Sequence, residues 1–401
     1  MRIVHIQMAP FDHGSYKSFT MYPLSEAELG MDVRVIACNS ETGGGRVVRG
    51  RRLVVENVAT RSLSNFSLSP LRFLWGSLRV LRRWQQEGWV ADLVHLYTSW
   101  AWGMMPALYR GGIDRRTSFL YDTRSRSTRV ARLTWLSDWV QAWVGRSCDD
   151  RLAIGAELGE AVFGRRGLSW HLAPIGIEPA MLRTGEESRE ECRRRLGLPV
   201  DTLLLLFHGH LRVAKGILQL LDEFDLFLRT CPEEKEACLL LVGDGRELER
   251  IKGHAGRLGC GGRVLFRQRV EARQIPFYLA AADVGISYLP REGHLDVQPP
   301  LKTLEFMAAG IPVVATASKE NERLLANYPG KVLVWERGAG GFAEGLKAMC
   351  ESLRDRVAGE TPGEGAMTAW TWENVVKEYL LPVYEQLSGA GSRVSRMRNG
   401  L

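Results

Sequence analysis

The segment PPLKTLEFMAAGIPVVAT, residues 299–316, decides how the 401-residue chain is built. Two prolines lead into LKTLEFMAA, whose apolar residues recur at helical spacing. Gly310-Ile311-Pro312 then stops the helix, and VVAT reads as a buried strand. Loop, short helix and strand together form one βα unit. A helix start leaves backbone N–H groups unpaired and partly positive, which suits a phosphate. Lys302 adds a full positive charge in that first turn, where a cation opposes the helix dipole. A bound anion would remove the conflict, and Glu305, one turn on, is placed to accept hydrogen bonds from a ribose diol. The same spacing also fits an ordinary βα unit with Lys302 on a solvated face.

Outward from this segment, short apolar runs alternate with amphipathic stretches. RIVHIQ, DVRVIAC, DLVHLYTSW, SFLYDTR and RLAIG are candidate strands in the first half, and LLLLFHG, CLLLVGDG, RVLFRQ, VGISYL and PVVAT in the second. Helical patterns separate most of them, the mark of two parallel sheets wrapped by helices. Prolines, glycines and dense charge between residues 174 and 200, with no strand, place a domain boundary there. The length suffices for two cores. A net charge of +7 favours an anionic partner: a phosphorylated ligand, an anionic membrane surface or nucleic acid. No helix-turn-helix, zinc-finger or aromatic RNA-binding signature supports the last. The seven cysteines show no C-x-x-C pair, which speaks against structural zinc and a disulfide framework and fits a cytoplasmic setting. No secretory signal and no bilayer-spanning apolar run is evident.

Three further segments carry chemistry. In LLLLFHGHLRVAKG, residues 203–216, a buried strand ends at His208-Gly209, and Lys215-Gly216 opens a helix. Gly209 lets backbone approach a ligand, while Arg212 and Lys215 supply charge. A plain strand–loop–helix is the other reading. CLLLVGDGRELERI, residues 238–251, reads as a strand end with Asp244 capping a helix. RVLFRQRV, residues 263–270, ends a strand near Val270.

In order, GHLRVAKG, LLVGDG, FRQRV, AADVGISYLP and PPLKTLEFMAAGIPVVAT resemble the donor domain of retaining GT-B glycosyltransferases, specifically glycosyltransferase family 4. The resemblance implies an α/β GT-B fold: two Rossmann-like domains whose parallel sheets face across a cleft. The expected division is 1–175 plus a crossing helix at 371–388 for the acceptor domain, 176–370 for the donor domain, and a frayed basic tail at 389–401. It implies that Lys215 holds the donor diphosphate, with Gly209, His210 and Arg212 beside it. Glu305 would bind the ribose, Leu301 and Lys302 would meet the phosphates, and Val270 would lie beside the base. Gly14, in the loop after the first strand, would sit where donor and acceptor meet. His95 and Arg124 would contact the acceptor, and Asp122 would join Lys215 and Glu305 as a catalytic group.

Three departures stand out. His210 replaces the family's frequent arginine, Gln268 replaces a glycine, and Val297 replaces a glutamate near the sugar, with Asp296 adjacent. The Val297 departure keeps open a catalytically degenerate binding or scaffold protein.

The expected reaction is retaining transfer of a hexosyl-type sugar from a nucleotide diphosphate onto a glycan, lipid-linked or small-molecule acceptor. The chain has no D-x-D motif, so no metal and no cofactor is expected and the cations carry the leaving-group charge. Two stretches are candidates for a membrane face. Leu71, Leu74, Trp75, Leu78 and Leu81 share a helical face near four arginines, and Trp135, Trp139 and Trp143 recur at i, i+4. Packing of these stripes onto the first sheet is the favoured reading, with the surplus arginines meeting lipid headgroups at the inner face of the cell membrane.

Overall fold

The computed structural model describes residues 1–11, 17–39, 45–49, 52–59, 69–126, 134–181, 187–268, 270–290, 297, 299–335, 341–354 and 367–398. The chain divides into two compact units, Met1–Gly176 with Trp372–Leu401, and Ile177–Thr371.

In the first unit, strands β1 (Arg2–Gln7), β2 (Asp32–Asn39), β3 (Gly45–Arg49), β4 (Leu53–Ala59), β5 (Leu93–Tyr97), β6 (Ser118–Thr123), β7 (Asp150–Ala153) and β8 (His171–Leu172) make one sheet. Their order is β3-β4-β2-β1-β5-β6-β7-β8. All neighbours pair parallel except β3 with β4, so the wholly parallel sheet expected from the sequence gains an antiparallel edge. Helices α1 (Lys17–Glu28), α2 (Ser69–Gln86), α3 (Met105–Gly112), α4 (Thr134–Ser147) and α5 (Ala156–Val162) cover it, together with α13 (Trp372–Val375) and α14 (Leu381–Arg398). Helix α14 continues to Arg398, past Ser388 where the sequence was expected to fray.

The central strands read as apolar runs because both faces are covered. Two histidines interrupt them, and each is fully enclosed. His5 Nε2 lies 2.6 Å from Glu26 Oε2, and its Nδ1 lies 2.9 Å from the Tyr97 hydroxyl. His95 Nδ1 lies 2.9 Å from the Tyr384 hydroxyl, which donates to Glu26 Oε1 at 2.9 Å. One hydroxyl from α14 therefore closes a polar network between α1, β1 and β5. Burial pushes the His95 imidazole below its usual range, against the opposing pull of Asp122.

The second unit holds β9 (Leu204–His208), β10 (Cys238–Val242), β11 (Val264–Arg267), β12 (Val284–Ser287), β13 (Val313–Thr316) and β14 (Lys331–Val334). All neighbours are parallel, in the order β11-β10-β9-β12-β13-β14. Its helices are α6 (Arg189–Leu196), α7 (Ile217–Thr230), α8 (Leu248–Ala255), α9 (Ile275–Ala281), α10 (Leu301–Ala308), α11 (Lys319–Leu324) and α12 (Gly341–Arg354). Strand order reverses between β9 and β12, which leaves a crevice at their carboxyl ends. Phe207, Leu211, Ile217, Tyr288 and Phe342 belong to the core beneath that point.

The chain crosses between units twice. Gly176 abuts the Trp372 ring within the first unit, and Ile177 bridges Thr371 within the second. The described residues of 174–200 hold no strand: β8 (His171–Leu172) pairs with β7 just before the stretch, and within it α6 forms behind a Ser188–Glu191 capping box.

Tyr384→Phe should cost the protein about 1–3 kcal/mol, because His95 and Glu26 lose a shared buried partner. Urea denaturation reads this directly. Unchanged stability would mean that the network contributes nothing.

Candidate functional site

The crevice at the β9/β12 reversal gathers most of the residues singled out in the second unit. Strand β9 ends at buried His208, and Gly209 follows with φ of 127°. Its N–H donates to the Val242 carbonyl at 2.9 Å, and Leu211 N–H donates to the Asp244 carbonyl at 3.0 Å. The loops after β9 and β10 are thus laced together. Gly243, with φ of 150°, makes this possible: a Cβ there would stand 1.9 Å from the Gly209 carbonyl oxygen. The loop after β9 then turns through Val213–Lys215 into Gly216, which opens α7 with φ of 77°. A side chain at Gly216 would strike the Tyr288 ring at 2.5 Å. Asp244 does not cap α8 as expected. It accepts its own neighbour's N–H from Gly245, and Glu247 occupies the N-cap position.

Helix α10 starts at Leu301 behind Pro300, so its first N–H groups meet no side-chain cap. Its orientation is fixed from beneath. The Ser287 and Thr303 hydroxyls lie 2.7 Å apart, Thr303 donates to Asn321 Oδ1 at 2.8 Å, and Asn321 Nδ2 donates to the Thr316 carbonyl at 2.8 Å. This buried chain ties α10 to β12, β13 and α11. Sequence reasoning passed over these residues; the signal was Ser287 and Thr303 standing inside apolar runs.

Lys302 Nζ sits 3.6 Å above the Phe207 ring centroid. Desolvation, and then the nearby Lys215 charge, push its ammonium down to about 7, with Glu305 opposing. Lys215 is itself lowered by desolvation and by Arg212. The charges of Lys215 and Lys302 thus oppose each other at the start of α10 with Glu305 nearby, an arrangement that suits an anion. Glu305 is buried one turn into α10, its Oε2 3.4 Å from His208 Nε2. His210 and Arg212 are exposed on the loop, Leu301 and Val270 are half-buried, and β11 ends at Arg267, short of Val270. Val297 is buried. Gly14 and Asp296 lie outside the described residues.

The first-unit candidates require a correction. His95 and Asp122 expose no surface, and Arg124 is 6% exposed. His95 Nε2 lies 3.2 Å from Asp122 Oδ2, and Arg124 Nε lies 3.6 Å from the same oxygen. Arg124 also donates to Ser18 Oγ and the Ala173 carbonyl and stacks over Tyr22. This geometry pairs His95 and Asp122 inside the unit and leaves only Arg124 a small exposed area. Among the described residues, the grouping close enough to hold a metal ion is His5, Glu26 and His95, inside the first unit and already paired.

The reversed parallel sheets and the crevice define a GT-B fold. Sucrose-phosphate synthase from Thermosynechococcus elongatus superposes with a TM-score of 0.76 at 18% identity, covering 97% of this chain and 100% of that one. Anabaena HepE, solved in complex with UDP, superposes with a TM-score of 0.64 at 16% identity over the whole of both chains. Residues 202–352 match the family described as glycosyl transferases group 1. The putative teichuronic acid biosynthesis glycosyltransferase TuaC of Bacillus subtilis is 30% identical over 41% of this chain and 38% of its own length. A D-inositol 3-phosphate glycosyltransferase of Xylanimonas cellulosilytica is 25% identical over 75% of this chain and 67% of its own length. The matched stretch thus spans about two fifths of TuaC.

The depressed ammonium of Lys302 sets a pH test. In the free protein it loses its proton above about 7, whereas a bound diphosphate favours the charged form. Binding therefore takes up a proton, and affinity for UDP or GDP should fall as pH rises from about 7 towards the ordinary lysine value of 10.5. By the same linkage the unfolded chain holds more protons across that window, so stability of the unliganded protein rises with pH there. Titration calorimetry on Lys302→Met should show the affinity slope gone and binding at neutral pH weakened roughly tenfold.

Proposed function

We propose that the protein transfers a hexosyl-type sugar from a nucleoside diphosphate sugar to a glycan, lipid-linked or small-molecule acceptor, with retention of anomeric configuration. The observation that carries this reading is the pair of desolvated lysines, Lys215 and Lys302, at the uncapped start of α10, with Glu305 one turn behind. Cleavage of the bond between sugar and diphosphate puts negative charge on the leaving phosphate. Lys215, Lys302 and the first N–H groups of α10 stabilise that charge without a metal ion and without any cofactor beyond the donor. Glu305 holds the ribose hydroxyls. Gly209 keeps the loop backbone open to the phosphates, with His210 and Arg212 at its rim. A phosphate oxygen of the donor takes the acceptor's proton. Asp122, His95 and Arg124 act as positioning residues.

Relatives with this family segment are named as glycosyltransferases, and HepE has been solved with UDP-glucose. Both support the donor class. Names drawn from teichuronic acid and phosphatidylinositol mannoside synthesis support an envelope glycan or lipid-linked acceptor, and with it a cytoplasmic site of action at the inner membrane face. No helix among the described residues is long and apolar enough to cross a membrane.

Thermal-shift screening against UDP, GDP, ADP and their sugar conjugates should give a clear rise in melting temperature with one base. With that donor, Lys215→Ala and Glu305→Ala should each lower transfer roughly 100-fold or more with melting behaviour retained, and EDTA should leave the wild type active. Full activity in both variants would refute the assignment. Donor binding without transfer or hydrolysis would point instead to a binding protein, the outcome that Val297 in the sugar-facing stretch would favour.

A further inference from the structure

The first unit carries an apolar ridge that its own core does not cover. Trp75 is 55% exposed, Trp135 62%, Trp139 54% and Trp143 42%, joined by Leu136 and Met104. The sequence favoured packing of these stripes onto the sheet. That holds for Leu74, Leu78 and Leu81, which are buried, but not for the tryptophans. The reason is helical phase. On α2, Arg72, Trp75, Arg79 and Arg82 share the outward stripe, and on α4 it is Trp135, Trp139, Trp143 and Arg146. The ridge is continuous. The turn Trp100–Met104 packs between α2 and α4, and the Trp143 ring lies so close to Gly103 that a Cβ there would stand 2.2 Å from it.

The exposed charge carried by α2 and α4 themselves has one sign. Helix α2 holds four arginines and no acidic residue in 18 positions. Arg72, Arg79, Arg82 and Arg146 are exposed and have no carboxylate partner among the described residues. Asp138, the acid of α4, faces inward and is held by Arg126. A second copy of the chain fits poorly. A twofold contact through this face would set arginine stripes against each other with no acid to receive them. Tryptophan is the side chain that prefers the boundary between lipid headgroups and acyl chains, and guanidinium groups pair with lipid phosphates.

We propose that this face, formed by α2, the Trp100–Met104 turn and α4, docks on the surface of an anionic phospholipid bilayer. The tryptophans enter the headgroup boundary and the arginines engage lipid phosphate. The claim rests on the exposed ridge and its charge, independently of the donor site in the second unit.

The test uses the full-length protein in flotation with vesicles of phosphatidylcholine, alone or mixed with phosphatidylglycerol. The wild type should float with the mixed vesicles, with a blue shift of tryptophan emission, and bind pure phosphatidylcholine weakly. Trp135→Gln combined with Trp139→Gln should reduce partitioning roughly tenfold. Arg72→Gln combined with Arg79→Gln should reduce it about 30-fold, at about a factor of five per arginine, and raised salt should mimic that loss. All four positions are exposed, so melting temperature and nucleotide binding should stay at wild-type values, which separates this claim from the donor assignment. Wild-type protein left at the bottom of the gradient overturns the proposal. So does equal flotation of the tryptophan variant. A self-associated wild type that becomes monomeric in that variant, without lipid binding, overturns it in favour of an interface between copies.

Discussion

Two half-buried ammonium groups whose charges oppose each other are the constraint on which the second unit depends. Lys215 and Lys302 repel each other across the carboxyl end of β9, and Glu305 offsets only part of that repulsion. Nothing in helix formation asks for this arrangement, and Lys302 in the first turn works against the dipole of α10. What holds it is the surrounding framework: Phe207 beneath Lys302, the Ser287–Thr303–Asn321 chain beneath α10, and the laced loops after β9 and β10. A framework that keeps like charges together without a ligand is preorganised for an anion, so little rearrangement is needed when one arrives.

The first unit meets a different demand with the same economy of parts. Its interior carries histidines, a glutamate, an aspartate and an arginine at positions where apolar side chains would pack more simply. Their partners come from segments far apart in the chain: α1, β5, β6 and, through Tyr384, the helix reached only after the chain has passed through the second unit. Such a network is satisfied only when all its contributors are in place. It makes the return of the chain a condition for completing the interior of the first unit.

Much of this was legible in the sequence. The central strands announce themselves as apolar runs, and the segment from Pro299 to Thr316 carried the α10 site and its lysine in one stretch. The strands that escaped notice have physical excuses. β3 and β4 mix arginine, glutamate and asparagine with valine at a sheet edge, and β8 has only two residues. β14 is a four-residue edge strand opening on a lysine. His95, Asp122 and Arg124 were noticed as polar residues at strand ends. Linear order could not tell whether such groups face a ligand or one another, and here they face one another. The tryptophans of α4 posed the converse problem. Their spacing was plain, but which way the stripe turned depended on α4 burying Ala142 and Val144 against the sheet.

The contact between Gly243 and the Gly209 carbonyl sets a limit on how this loop pair can diversify. With the second loop's backbone pressed against the first, neither can change course alone: a larger residue at position 243 would displace the very turn that delivers Lys215. Variation in ligand preference, whether natural or engineered, is therefore channelled away from these strand ends. It falls to the less encumbered rim, where side chains can be exchanged while the main chain keeps its path.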